Sequence, residues 1–338
     1  MTVTKIGVTD MHTAGEPVRI VTDGWPELSG ATILEKRRDM LAHFDHYRHA
    51  VMLEPRGHAG MYGVIPVPAT HPDAVIGALF MHNDGYSTMC GHATLALGRW
   101  LVETGRVAAT EPKTRFAVEL PCGLVQVECN VTGGRVTATA FDSVPAFVSQ
   151  AGVETKVPGI GPLQLDIAYG GAFYAILPAS RIGLHLHATP LAELTAVAAA
   201  ITAHLRETVG ITHPTEPDLG FLYGTILTDD AAPPEDSWNL CVFADGQVDR
   251  SPTGSGVTAR MALDHADGRI GVGDQRRFRG PTGIGFDAVI LATTPAGVTV
   301  RVGGRSSVIG HARFVIEDDD PLAHGFRLGA VIGLANAG

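Results

Sequence analysis

Residues 87–107, STMCGHATLALGRWLVETGRV, are written a second time as residues 250–270, RSPTGSGVTARMALDHADGRI. An offset of 163 residues, from Cys90 to Thr253, sets Gly91 on Gly254, His92 on Ser255 and Ala96 on Ala259. It also sets the closing Gly105-Arg106-Val107 on Gly268-Arg269-Ile270. In both copies a turn of small residues leads through one nucleophilic side chain and a glycine into a helix. The first helix carries Ala93, Leu95, Ala96, Leu97, Trp100, Leu101 and Val102 nearly all round, the pattern of a buried helix, and Gly105 stands where a C-terminal cap belongs. Repetition at a fixed offset predicts two lobes of similar build, each wrapped on its own helix. Where the two N-termini face one another, their unpaired N–H groups make a site for a small anion. A cysteine there, Cys90, is expected to be reactive, because the positive end of the helix favours thiolate over thiol.

Length and charge narrow what such a pair of lobes does. With 338 residues the chain has the length for two domains and a large core, and its net charge of −10 argues against a nucleic-acid partner. No apolar run is long enough to span a membrane, and the N-terminal residues begin no signal peptide, so a cytoplasmic protein is expected. Cys90, Cys122, Cys129 and Cys241 form no close pairs, which signals neither a disulfide framework nor a zinc ribbon. Cys122 and Cys129 fall in strands and read as inert buried thiols. The motifs of nucleotide-binding loops and of serine hydrolases are absent.

Along the chain, short strands are expected at 6–10, 18–22, 74–82, 116–131, 135–140, 163–176, 221–228, 238–243, 289–293, 298–302 and 312–316. Helices are expected at 35–48 on the surface and at 191–209 as a packing element. His12 and Glu16 have the types of metal ligands, but Gly15 and Pro17 rule out the helix that would set them on one face. The polar cluster Glu54, Arg56, His58 and Tyr62 lies among glycines and reads as a turn at a lobe edge ahead of a pocket lining. Gly170-Gly171, flanked by aromatics in AYGGAFYAI, marks a strand that something approaches closely. Glu317 to Asp320 reads as a solvated turn.

The phrases HTAGEPVR, EPRGHAGMYG, MCGH before an apolar helix, and DRSPTGSG resemble the proline racemase family, which includes proline racemases, hydroxyproline 2-epimerases and trans-3-hydroxy-L-proline dehydratases. The likeness runs from about His12 to the C-terminal strands. It implies a mixed α/β (α+β) fold of the diaminopimelate epimerase type: two pseudo-symmetric lobes, each a curled mixed sheet around a central helix, with the site in the cleft between them. The first lobe is expected over residues 1–133 and 308–338, with the Cys90 helix, and the second over residues 134–307, with the Thr253 helix.

In family members that invert the α-carbon, two cysteines from the two lobes face opposite sides of it. Here Cys90 stands at the first position and Thr253 at the second. A threonine hydroxyl is too weak an acid to cycle protons near neutral pH. The resemblance therefore points to a dehydratase, in which one base suffices because the carbanion expels the 3-hydroxyl of trans-3-hydroxy-L-proline and ends as Δ1-pyrroline-2-carboxylate. In this reading Cys90 takes the α-proton, and backbone N–H groups of Gly91, His92, Gly254 and Ser255 hold the carboxylate. Asp249 resembles the family aspartate that holds the ring ammonium, and could also cap the second helix. His92 and Thr253 are both candidates for assisting the leaving hydroxyl. That chemistry needs no metal or organic cofactor, and its partner is a small imino acid; a homodimer is left open. Two other readings stand beside it. One is an epimerase or racemase with a second acid, for which Cys241 is the candidate; the other is a binding protein for amino acids.

Overall fold

The structure, a computed structural model, describes residues 3–328; the ends of the range expected for the first lobe, residues 1–2 and 329–338, lie outside them. The strands form one continuous hydrogen-bonded series with a repeated order. In the first half, Val3–Thr13 pairs antiparallel with Glu16–Asp23, which runs parallel to Tyr62–Val67, and that strand is antiparallel to Ala74–His82. Ala74–His82 lies parallel to Lys113–Leu120, and Gly123–Thr132 and Arg135–Asp142 follow as antiparallel neighbours. The second half repeats these joins: Gly161–Tyr169 antiparallel to Phe173–Pro178, parallel to Leu222–Thr228, antiparallel to Ser237–Phe243. Gln275–Arg279 is then the parallel neighbour, and Gly285–Thr294 and Gly297–Gly304 close the run antiparallel. The halves meet where Arg135–Asp142 pairs with Gly297–Gly304. Each run has an added outer strand, Ser306–Glu317 beside Val3–Thr13 and Phe147–Val157 beside Gly161–Tyr169.

The helices repeat as well. Parallel neighbours need a crossover, and each half supplies two. In the first, α1 (Ile33–His43) and α2 (Asp45–Met52) make one crossover and α3 (Gly91–Glu103) the other. In the second, α4 (Leu191–Thr208) and α5 (Gly254–Ala266) take those places. Helices α1 and α2 cover the outer face of the first sheet through Ile33, Met40, Ala50, Val51 and Met52, and α4 covers the second through Leu194, Ala198, Ile201 and Leu205. Both α3 and α5 lie inside a single apolar core, with Leu95, Leu97 and Trp100 from one and Val257, Met261 and Leu263 from the other. Each such side chain withdrawn from water contributes about 1.5–3 kcal/mol.

Three expected elements differ. The helix expected at 35–48 divides at Phe44, whose φ of −126° and ψ of 12° leave helical space. Its start is set by a capping box, Thr32 Oγ1 accepting from Glu35 N at 3.2 Å while the Glu35 carboxylate accepts from Thr32 N. The strand expected at 116–131 turns back at Pro121-Cys122, where Gly123 adopts a φ of 131°, and becomes two antiparallel strands. Likewise 163–176 is a hairpin around Gly170-Gly171. The close approach expected there is α5, since a Cβ on Gly170 would lie 2.1 Å from Ser255 O and 2.7 Å from Ala259 N.

Candidate active site

Both central helices begin at the same place. Cys90 is the N-cap of α3 and Thr253 the N-cap of α5. A Cβ on Gly91 would lie 2.5 Å from Gly254 Cα, and one on Gly254 would lie 2.7 Å from Gly91 Cα, so the N-termini touch backbone to backbone. Only glycine permits that approach. The first bonded N–H of each helix belongs to Thr94, to Cys90 O, and to Val257, to Thr253 O. Those before it, on Gly91, His92 and Ala93 and on Gly254, Ser255 and Gly256, have no acceptor within their helices. Cys90, Gly91, His92, Asp249, Thr253, Gly254 and Ser255 all line one small pocket at this junction.

The aromatic walls come from strands. Tyr62, from the segment read as a lobe-edge turn, lines the pocket with Tyr174, Tyr223 and Phe243. The glycine-rich run before Tyr62 ends in a buried strand, which carries the ring inward, edge-on to His92 at 4.8 Å. Its hydroxyl bonds Ser87. Across the pocket Tyr174 Oη bonds Ser255 Oγ at 2.7 Å, and Tyr223 stacks on Phe243 at 5.2 Å. Nothing in the strand periodicity separates these inward aromatics from core residues; only the flanking glycines of Tyr174 signalled a crowded backbone.

The two N-caps differ sharply. Cys90 has extended backbone, φ −145°, and its Sγ lies 3.1 Å from His92 Nδ1. Thr253 has a φ of 65°, a left-handed conformation that costs a β-branched residue about 1–3 kcal/mol. It is held there by two bonds: its Oγ1 donates to Asp249 Oδ2 at 2.8 Å, and its N–H to Ser251 Oγ at 3.1 Å. The other Asp249 oxygen accepts from Ser251 N at 2.7 Å, so Asp249 braces the turn before α5 while facing the pocket. Each oxygen keeps a second lone pair.

Burial governs the protonation states. It pushes the Cys90 thiol well above its ordinary value, and the Ala93 N–H and Tyr62 hydroxyl only partly offset that. In a closed pocket, loss of hydration acts against the helix end. Burial lowers His92, with Asp249 and a hydrogen bond to the Pro17 carbonyl acting in the opposite sense. Both shifts favour the uncharged forms, thiol and neutral imidazole. His82, against Tyr62 and Phe243 behind the pocket, is lowered to about 3 by burial and nearby arginines.

The remaining candidates lie apart. Cys241 is fully buried, interacts with Thr253 and is pushed well above its ordinary value by burial; it is not among the pocket-lining residues. Cys122 is raised to about 12 and Cys129 to about 11 by burial. His12 Nδ1 accepts from Gly15 N at 3.3 Å within its hairpin. Glu16 reaches across to the turn before α5, where its Oε2 accepts from Arg250 N at 2.7 Å, and its charge acts on Cys90. Arg250 also donates to Gly60 O, which ties the turn before α5 to the first lobe.

A family model described as "Proline racemase" matches residues 8–327. A human protein named trans-3-hydroxy-L-proline dehydratase is 48% identical over 334 residues, 96% of this chain and 94% of that one. A protein of the same name from Colwellia psychrerythraea is 42% identical, covering 94% of this chain and 91% of its own. A hydroxyproline epimerase from Agrobacterium vitis, solved with bound trans-4-hydroxy-L-proline, superposes with a TM-score of 0.92 at 25% identity, covering 97% and 96%.

Proposed function

This chain belongs to the proline racemase family, and on that premise we propose that it dehydrates trans-3-hydroxy-L-proline to Δ1-pyrroline-2-carboxylate. The observation that carries the reading is the unequal pair of N-caps. Cys90 offers a thiol with a base beside it, whereas Thr253 offers a hydroxyl whose proton is already given to Asp249. Removal of the α-proton is thus served from one side only, and a carbanion that cannot be reprotonated from the other face is discharged by loss of a β-substituent. Relatives named as dehydratases, at 42–48% identity over nearly their whole length, support the same choice.

In the proposed complex the carboxylate lies on the N–H groups of Gly91, His92, Gly254 and Ser255, where two helix ends add their dipoles. Asp249 accepts from the ring ammonium, which keeps the α-proton acidic. Cys90 Sγ takes that proton, the C3–O bond breaks, water leaves, and the enamine tautomerises to the cyclic imine. The aromatic walls exclude bulk water from the carbanion.

The test is direct incubation with trans-3-hydroxy-L-proline, trans-4-hydroxy-L-proline and L-proline, following imine formation and optical rotation. Imine from the 3-hydroxy compound alone, lost in Cys90→Ala, is the expected result. Loss of rotation with the other two and no imine would overturn the reading in favour of an epimerase.

A further inference from the structure

We propose that His92, not Thr253, protonates the departing hydroxyl, an inference that rests on the dehydratase reading above. In trans-3-hydroxy-L-proline the hydroxyl is trans to the carboxylate. The α-hydrogen, the other substituent on that carbon, is therefore cis to the hydroxyl. Whatever base removes the α-proton stands on the ring face from which the hydroxyl leaves. With Cys90 as base, the acid must be reached from the Cys90 side.

On that side His92 is placed for the task. Its Nδ1 is 3.1 Å from Cys90 Sγ, and both residues line the pocket, so the two atoms sit side by side as the two vicinal cis substituents do. Its Nε2 lies farther from the same sulfur, at 3.8 Å, so Nδ1 is the nearer nitrogen, and the tautomer that carries its proton on Nε2 leaves Nδ1 to accept the thiol proton. Thr253 projects from the opposite lobe, and its hydroxyl proton is committed to Asp249 Oδ2 at 2.8 Å.

The proton count closes within this pair. Cys90 Sγ–H passes its proton to His92 Nδ1, giving thiolate and imidazolium. The thiolate takes the α-proton, the C–H electron pair becomes the C2–C3 double bond, and the C3–O bond breaks with its pair on oxygen. The imidazolium protonates that oxygen, and water departs. Thiol and neutral imidazole are regenerated, the resting forms that burial imposes, with no proton drawn from solvent.

Two measurements test this. The first compares trans-3-hydroxy-L-proline with trans-3-fluoro-L-proline, whose fluoride leaves with little need of an acid. His92→Gln lowers kcat/KM for both by impairing thiolate formation, but lowers it for the hydroxy compound about 10²-fold further. Thr253→Val leaves the ratio within about threefold, since it removes no acid. An unchanged ratio in His92→Gln, or a collapsed ratio in Thr253→Val, overturns the assignment. The second uses the native enzyme with cis-3-hydroxy-L-proline in D2O. Its α-proton still faces Cys90 while its hydroxyl faces away, so α-deuteration without imine is expected, and imine formed as fast as from the trans isomer overturns the placing of the acid on the Cys90 side. A native enzyme that exchanges α-protons yet eliminates neither hydroxide nor fluoride from the trans compounds overturns the dehydratase reading itself, a result distinct from those above.

Discussion

Cys90 and Thr253 occupy equivalent points of two half-molecules that share strand order, crossover pattern and helix length, yet their surroundings are opposite in kind. Around Cys90 the backbone is relaxed and the Sγ atom has an imidazole neighbour, His92. Around Thr253 the backbone is strained, and the side chain spends its hydrogen bond on holding the turn. The equivalent of His92 is Ser255, whose hydroxyl bonds Tyr174. The difference teaches that the fold supplies two facing helix ends of the same build, while the side chains at those ends and the neighbours they meet differ.

The comparison is broken most severely by removing the thiol. Cys90→Ser keeps the shape but not the acidity and is expected to lower kcat by about 10⁴-fold, about 5.4 kcal/mol in barrier, read from the initial rate of imine formation. The converse, Thr253→Cys, gives the second lobe a proton donor. It is expected to add slow racemisation of L-proline, followed by loss of optical rotation, and unaltered rotation would mean that the turn before α5 aims a side chain away from the α-carbon. Gly254→Ala attacks what the halves share. Its Cβ meets Gly91 backbone at 2.7 Å, and neither helix end can yield, so a loss of about 2–3 kcal/mol in denaturant unfolding is expected, together with a raised KM.

The smallest effect concerns the support behind the pocket. His82 is lowered to about 3 in the folded chain from an ordinary 6.5. A depressed folded-state value contributes stability that is present above pH 6.5 and is lost as pH falls toward 3, because the unfolded chain takes up a proton that the folded chain refuses. The slope is at most about 1.4 kcal/mol per pH unit. Urea midpoints measured between pH 7 and pH 4 should fall less steeply in His82→Gln than in the native protein. Equal slopes would place the acid sensitivity elsewhere, and His92, also lowered by burial, would be the next substitution.

Much of the fold was legible because its signals are local. The repeat at 163 residues announced two lobes, and the strands at 74–82 and 222–228 follow from short, mostly apolar runs that no distant contact needs to rescue. Pro121-Cys122 and Phe44 were missed because the turn at each depends on one residue's dihedrals, which periodicity does not report. Within the site, the residues at the helix N-termini could be listed from their spacing. Tyr62, Tyr174 and Tyr223 could not, since a buried aromatic on a strand looks the same facing a core or a substrate.

What the sequence determined by itself was the inequality of the two lobes: a cysteine and a histidine on one side of the repeat, a threonine and a serine on the other. That is chemistry carried by side-chain identity, and no folding alters it. What the tertiary structure decided was the state in which those groups rest. Enclosing Cys90 in the apolar core strips its hydration and favours the thiol over the thiolate. That burial arises from residues far apart in the chain, whereas the Cys90–His92 contact is local, set within the first turn of α3.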